Sequence, residues 1–271
     1  MPLTSSLPRL DAFAQTVVGR VRHHNEDSLL CCPALGLWAI ADGMGGHQRG
    51  EVASALAAQT LQDCVRAGGN LVEAIHAANQ AILAAAAETA GSQGMGSTVV
   101  AVHFTGHQYQ LAWIGDSRAY LLRRGHIQPL TKDHSWVQTL IDAGELTETQ
   151  ARHHPKKNLI NQCLGQDSVP LDVGLIEGRL APGERLLLCS DGLNRELTDE
   201  QIQRIADHST DLPALVHNLI EQANALGGHD NISCSVLALD LPTGLGARTR
   251  RWLSRLLGRR PGRDTRGLRH E

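Results

Sequence analysis

The stretch from Trp38 to Glu51, WAIADGMGGHQRGE, constrains this chain more than any other. An apolar run, Leu37 to Ala41, stops at Asp42, and glycines follow at 43, 45, 46 and 50. A short apolar run bounded by glycine has the pattern of a buried strand. Backbone without side-chain bulk lets carbonyls and amides approach a small ligand closely. Asp42 then has two readings. An Asp before Gly is a common turn or N-cap residue, and a carboxylate beside backbone carbonyls is also a ligand set for a hard cation.

The same arrangement recurs. The run Gln108–Ile114 ends in Gly115-Asp116, and Arg185–Ser190 ends in Asp191-Gly192. Gly227-Gly228-His229-Asp230-Asn231 leads into the apolar run 232–239. Strand ends on one edge of a sheet converge, so Asp42, Asp116, Asp191 and Asp230 can share one site. Four carboxylates brought together repel, and divalent cations neutralise them. Oxygen ligands favour Mg or Mn over Zn. Two such ions roughly 3.5–4 Å apart can activate a water and clamp a phosphoryl oxygen. Residues 20–27, RVRHHNED, add Glu26 and Asp27 as oxygen ligands and Arg22 as a phosphate fork. The alternative for that segment is an ordinary solvated hairpin connection.

Bulk properties exclude other classes. Hydrophobic residues make up 42% and charged residues 20% of the 271, which suits a globular chain with a sizeable core. Net charge is −3, which is no nucleic-acid footprint. The six cysteines form no CxxC pair, and several lie inside apolar runs. They read as reduced, buried thiols in a cytoplasmic protein. Neither a signal-peptide pattern nor an apolar run of membrane-spanning length is present in the sequence.

Periodicity predicts strands over 11–18, 29–32, 37–41, 97–104, 108–114, 119–122, 169–180, 185–190 and 232–239, with a hairpin at Thr105-Gly106-His107. A helix over 48–67 is expected to carry Val52, Leu56, Leu61 and Val65 on one stripe. A second starts from an Asn70 cap, with Val72, Ile75, Ile82 and Ala86 together. Further helices are predicted over 136–141, 199–207 and 211–226. Residues 91–96 and 145–168 read as loops, with His153 and His154 solvated rather than metal-bound.

The motifs VRHHNED at 21–27, ADGMGGHQRGEVAS at 41–54, GSTVV at 96–100, GDSRAY at 115–120, LTKDHS at 130–135, CSDGL at 189–193 and GGHDNIS at 227–233 occur in this order. Together they resemble the metal-dependent protein serine/threonine phosphatases of the PPM (type 2C) class, bacterial branch. The resemblance covers about residues 11–240, with an extension at 1–10 and a tail at 241–271. It implies an α+β fold, an αββα sandwich of two antiparallel sheets flanked by helices. It also implies two Mn or Mg ions in a cleft at one end. Residue by residue, Asp42 would bridge both ions. The Gly43 carbonyl and Glu26 would serve one, and Asp191 and Asp230 the other. Asp27 would orient a water, and Asp116 with Asp191 would hold a weaker third ion. Arg22 would hold the substrate phosphate, and Asn231 would support Asp230. The implied reaction is in-line hydrolysis of phosphoserine or phosphothreonine in proteins by a metal-activated water, opposing a Hanks-type kinase. Some members carry a histidine directly after the Asp-Gly pair as general acid. Met44 stands here and cannot donate a proton, so a metal-bound water is the expected donor, with His47 and His134 as further candidates. Asn194 stands where an aromatic residue or Thr often follows. Residues 142–168 match the family's flap.

The tail differs from the rest. From Ala247 onward nine arginines face two acids, a net +7, which leaves −10 for residues 1–246. Residues 250–257, RRWLSRLL, have the pattern of a short basic amphipathic helix for an anionic lipid surface, an acidic protein or the chain's own acidic body. A disordered, solvated tail is the alternative. The expected partners are phosphoproteins and a kinase, with no nucleic acid, and the expected state is a monomer. Two rival functions are a non-catalytic phosphoprotein-binding module and a metal-dependent nuclease. The first sits poorly with a complete set of acids, and the second with an acidic body that repels nucleic acid.

Overall fold

Uninterrupted apolar runs such as Leu37–Ala41 and Leu186–Cys189 need cover on both strand faces. In the computed structural model, which describes residues 10–45, 49–88 and 94–239, both faces are covered. The chain runs β1 (Leu10–Val17), β2 (Asp27–Cys32), β3 (Leu37–Met44), α1 (Arg49–Arg66), α2 (Leu71–Glu88), β4 (Gly96–Ser97), β5 (Val99–Thr105), β6 (Gln108–Ile114), β7 (Arg118–Arg123) and β8 (His126–Pro129). It continues with α3 (Trp136–Asp142), α4 (Glu148–Arg152), β9 (Gly174–Arg179), β10 (Arg185–Cys189), α5 (Asp191–Asn194), α6 (Asp199–His208), α7 (Leu212–Leu226) and β11 (Ile232–Leu239). One sheet has the order β1-β11-β10-β7-β8. The other has β2-β3-β5-β6-β9, with β4 paired to β3. Every pairing is antiparallel.

Side-chain alternation divides the interior into three apolar layers. Trp38, Ile40, Val100, Val102 and Leu111 meet Ala119, Leu121, Leu186, Leu188 and Leu237 between the sheets. On the opposite strand faces, Leu37, Ala39, Ala41 and Val99 pack under α1 and α2. Tyr120, Leu187, Cys189 and Val236 pack under α6 and α7. The fold is therefore the expected αββα sandwich, α+β in class. Among the described residues no helix is long and apolar enough to cross a membrane.

Several expectations need correction. The buried stripe of α1 is Ala53, Ala57, Leu61 and Val65, while Val52 is 47% exposed. Small alanines on the inner face let the helix lie close to the sheet, which a valine there would hold away. In α2 the buried face is Leu71, Ala74, Ile75, Ala78 and Ile82, behind a reciprocal cap of Asn70 and Glu73. Val72 is only half-buried. The 169–180 strand begins only at Gly174. Before it, the Gln162 amide bonds the Pro170 carbonyl and the Asp172 N–H, so those groups need no strand partner. The 145–168 loop contains α4, closed by a capping box of Thr147 and Gln150. His153 and His154 bond Thr149 and Lys156 backbone, and neither belongs to a group of three metal-ligating side chains among the described residues. Cys189 and Cys234 are buried, but Cys31 is exposed, and all six cysteines are free. Expectations for the N-terminal extension, the basic tail, Gln48, and residues 91–93 of the loop lie outside the described residues.

Candidate metal centre

Antiparallel pairing brings the required strand ends together. In the β2–β3 register Asp27 lies directly opposite Asp42. Asp42 therefore sits inside a strand and not in a turn. Its N–H donates to Thr98 Oγ1 at 3.2 Å, and its carbonyl accepts from Thr98 N at 2.8 Å and Ser97 Oγ at 3.1 Å. The same end of that sheet releases β6 into Asp116. The other sheet contributes Asp191 after β10 and Asp230 before β11. Gly43 and Gly50 are required by crowding: a Cβ on Gly43 would collide with the carbonyls of Gly50 and Glu26, and one on Gly50 with the Glu26 carboxylate. This close approach seats the first turn of α1 against the exit of β3.

The result is a cavity of about 310 Å³. Of the expected site residues, Arg22, Glu26, Asp42, Gly43, Asp116, Asp191, Asp230 and Asn231 line it. Asp27 lies just behind. Its Oδ2 accepts from Ser233 Oγ at 2.6 Å and Ser190 Oγ at 2.8 Å. Arg22, half-exposed at the rim, donates from Nη2 to Asp230 Oδ2 at 2.8 Å. Asn231 does more than support Asp230. Its backbone N–H bonds Asp230 Oδ1, while its side chain accepts from Glu26 N at 2.8 Å and donates to the Val18 and His24 carbonyls. One amide thus ties the β1–β2 loop to the start of β11.

Three comparisons with known proteins bear on this geometry. The family pattern described as "Protein phosphatase 2C" matches residues 18–228. The chain belongs to the protein phosphatase 2C family. It is 42% identical over 224 residues to serine/threonine protein phosphatase PstP of Mycobacterium tuberculosis. That match takes in 80% of this chain but 43% of PstP, so the chain spans less than half of that relative's length. Serine/threonine phosphatase stp of Listeria monocytogenes is 34% identical over 246 residues, 86% of this chain and 97% of stp. A solved structure of the PstP catalytic domain in complex with two manganese ions has a TM-score of 0.75 and 38% identity, covering 86% of this chain and 99% of that one.

The residues of this phosphatase 2C chain fit hard divalent cations. Glu26 Oε1, Asp27 Oδ1 and Asp191 Oδ1 are buried oxygens without a hydrogen-bond partner. Leaving such acceptors unpaired is costly, about 1–3 kcal/mol each and more when charged. Burial first, then Asp27, Asp191, Asp116 and Asp230, pushes the Asp42 carboxyl well above the usual range. Asp191 is pushed up by burial and Asp116, against the pull of Arg195. Burial raises Asp27 to about 6 despite its two serine donors. Cations would relieve all three.

Sequence reasoning missed four contributors. Arg195 projects among Asp116, Asp191 and Asp230. Its signal was its place four residues after Asp191, the spacing of a helical ion pair. Ser190 and Ser233 lie inside quoted motifs but had no assigned partner. Thr98 clamps Asp42 and also exchanges a 2.7 Å hydrogen bond with Ser117. As the side chains stand, no three His, Cys, Asp or Glu groups among the described residues enclose an ion position. The Arg195 guanidinium lies where the three aspartates meet. Asn158 and Ile160, from the 142–168 segment, complete the cavity wall. Met44 lines it too, whereas His134 does not: its ring stacks on Trp113 and accepts from Gly115 N. His47 lies outside the described residues.

Proposed function

We propose that this chain hydrolyses phosphoserine and phosphothreonine in proteins, with Mn or Mg as cofactor. The observation that carries the reading is the set of carboxylates from both sheets, with unpartnered buried oxygens, facing a cavity with an arginine at its rim. Family membership and the named relatives support the same reaction class. Asp42, the Gly43 carbonyl and Glu26 would hold one ion, and Asp42, Asp191 and Asp230 the other. Bound there, the ions supply an activated water and neutralise phosphoryl charge. Asp27, fixed by Ser190 and Ser233, is placed to accept a proton or orient a water from behind Asp42. Arg22 is free to exchange Asp230 for a phosphate, since it stands half in solvent and a guanidinium fork matches phosphoryl oxygens.

Met44 leaves the departing alkoxide without a proton donor at that position. Protonation then falls to water in the open cavity. Asn158 and Ile160 give the flap a direct hand in choosing the peptide around the phosphoresidue. The opposing enzyme is a Hanks-type kinase, the setting is the cytoplasm, and the chain works as a monomer, its basic tail contacting an acidic protein or membrane surface. Purified full-length protein should hydrolyse p-nitrophenyl phosphate and phosphothreonine peptides only when Mn or Mg is present. Absence of any phosphoester hydrolysis in Mn-loaded, folded protein would sink the reading.

A further inference from the structure

Arg195 is the least expected member of the site. It follows the single turn α5, and its guanidinium returns onto Asp191 Oδ2. Nη2 also donates to Asp116 Oδ2 at 3.1 Å, and Nη1 stands 3.7 Å from Asp230 Oδ2. The arginine side chain is 24% exposed, against 7% and 8% for Asp116 and Asp191.

We propose that Arg195 is a built-in counter-ion that occupies the place of a third cation beside Asp116, so that this chain takes two divalent ions and not three. The inference rests on the two-ion reading above. Three observations carry it. Asp116, 7% exposed at its side chain, has its charge met by Arg195 Nη2 at 3.1 Å. The same guanidinium meets Asp191 through Oδ2 and leaves Asp191 Oδ1 without a partner, open to a divalent ion on its other side. Charge counting agrees. Glu26, Asp27, Asp42, Asp116, Asp191 and Asp230 are six carboxylates, and Arg22, Arg195 and two divalent ions balance them. A third divalent ion would overshoot by two. Lastly, a guanidinium keeps its proton throughout the physiological range, so this counter-ion is permanent and cannot be chelated away.

The test is metal stoichiometry, independent of activity. Metal-free full-length protein is titrated with Mn by calorimetry, alongside Arg195→Asn, Arg195→Lys and the double variant Arg195→Asn/Asp116→Asn, with circular dichroism to verify folding. Wild type is expected to bind two equivalents, Arg195→Lys two, Arg195→Asn three, and the double variant two again. Three equivalents in wild type overturn the inference, even if Arg195→Asn fails to fold. Two equivalents in folded Arg195→Asn overturn it as well, leaving the two-ion reading intact. No Mn uptake by folded wild type overturns that reading and the inference with it.

Discussion

On the side of the cleft built from β2 and β3, Asp27 is met by two serine hydroxyls, while Glu26 keeps a buried oxygen with no partner. On the side built from the exits of β6 and β10, Asp116 and Asp191 are met by the Arg195 guanidinium. Hydroxyls orient a carboxylate without cancelling its charge, whereas a guanidinium does both. The first side therefore stays hungry for cations, while on the second Asp116 is supplied and Asp191 still keeps one buried oxygen without a partner. One cluster of like charges contains two kinds of environment, set by which strand end each acid leaves.

The most severe break in that comparison is Asp42→Asn, because Asp42 feels the acids of both sides. It should cut Mn-dependent phosphatase activity by about 10³-fold or more and remove tight Mn uptake in calorimetry. Activity within an order of magnitude of wild type would take Asp42 out of the centre. Arg22→Ala should lower kcat/KM for phosphothreonine peptide by about 10²-fold while Mn affinity changes little, which separates phosphate from metal binding. A Mn affinity that falls in step would make Arg22 a mere partner of Asp230.

Ser190→Ala sharpens the hydroxyl-supported side. Mn affinity or activity should drop about 10- to 100-fold, as for other residues that orient a ligand from behind. An unchanged Mn titration would mean that Ser233 alone holds Asp27. The smallest effect is on stability. In metal-free protein Asp27, Asp42 and Asp191 hold protons more tightly than in the unfolded chain. Their contribution is full below about pH 4 and is lost as pH rises through about 6 for Asp27. The acids held low, Asp142, Glu200 and Asp207, act in the opposite sense at the acid end of the range, below the usual carboxylate pKa. Unfolding free energy should thus fall between pH 4.5 and 6.5 without metal, at about 1.4 kcal/mol per pH unit for each extra proton the folded state holds, seen as a falling melting temperature that recovers with Mn. A metal-free protein that gains stability over that range would contradict the burial argument.

Much of the site was legible because its ligands sit where hydrophobic pattern changes. Apolar runs that stop at Asp116 and Asp191, and one that begins after Asp230, mark strand ends without knowledge of the fold, whereas β3 runs past Asp42 to Met44. Arg22 was legible as an arginine near clustered acids, and α6 and α7 as helices over 199–207 and 211–226. Less visible were elements whose cause is distant. Val52 looked like part of a buried stripe until α1 proved to lie on alanines, and the start of β9 was displaced by a side chain from Gln162.

The sequence by itself determined roughly where the strands lie, the acid identities and the oxygen-only ligand chemistry, since these follow from local periodicity and side-chain donors. Only the tertiary structure decided that Asp27 faces Asp42 across a ladder, that Ser190 and Ser233 reach Asp27, and that Arg195 meets Asp116. Those pairings join residues 15 to 206 positions apart, and register between strands, not neighbourhood in the chain, brings such residues within hydrogen-bond reach.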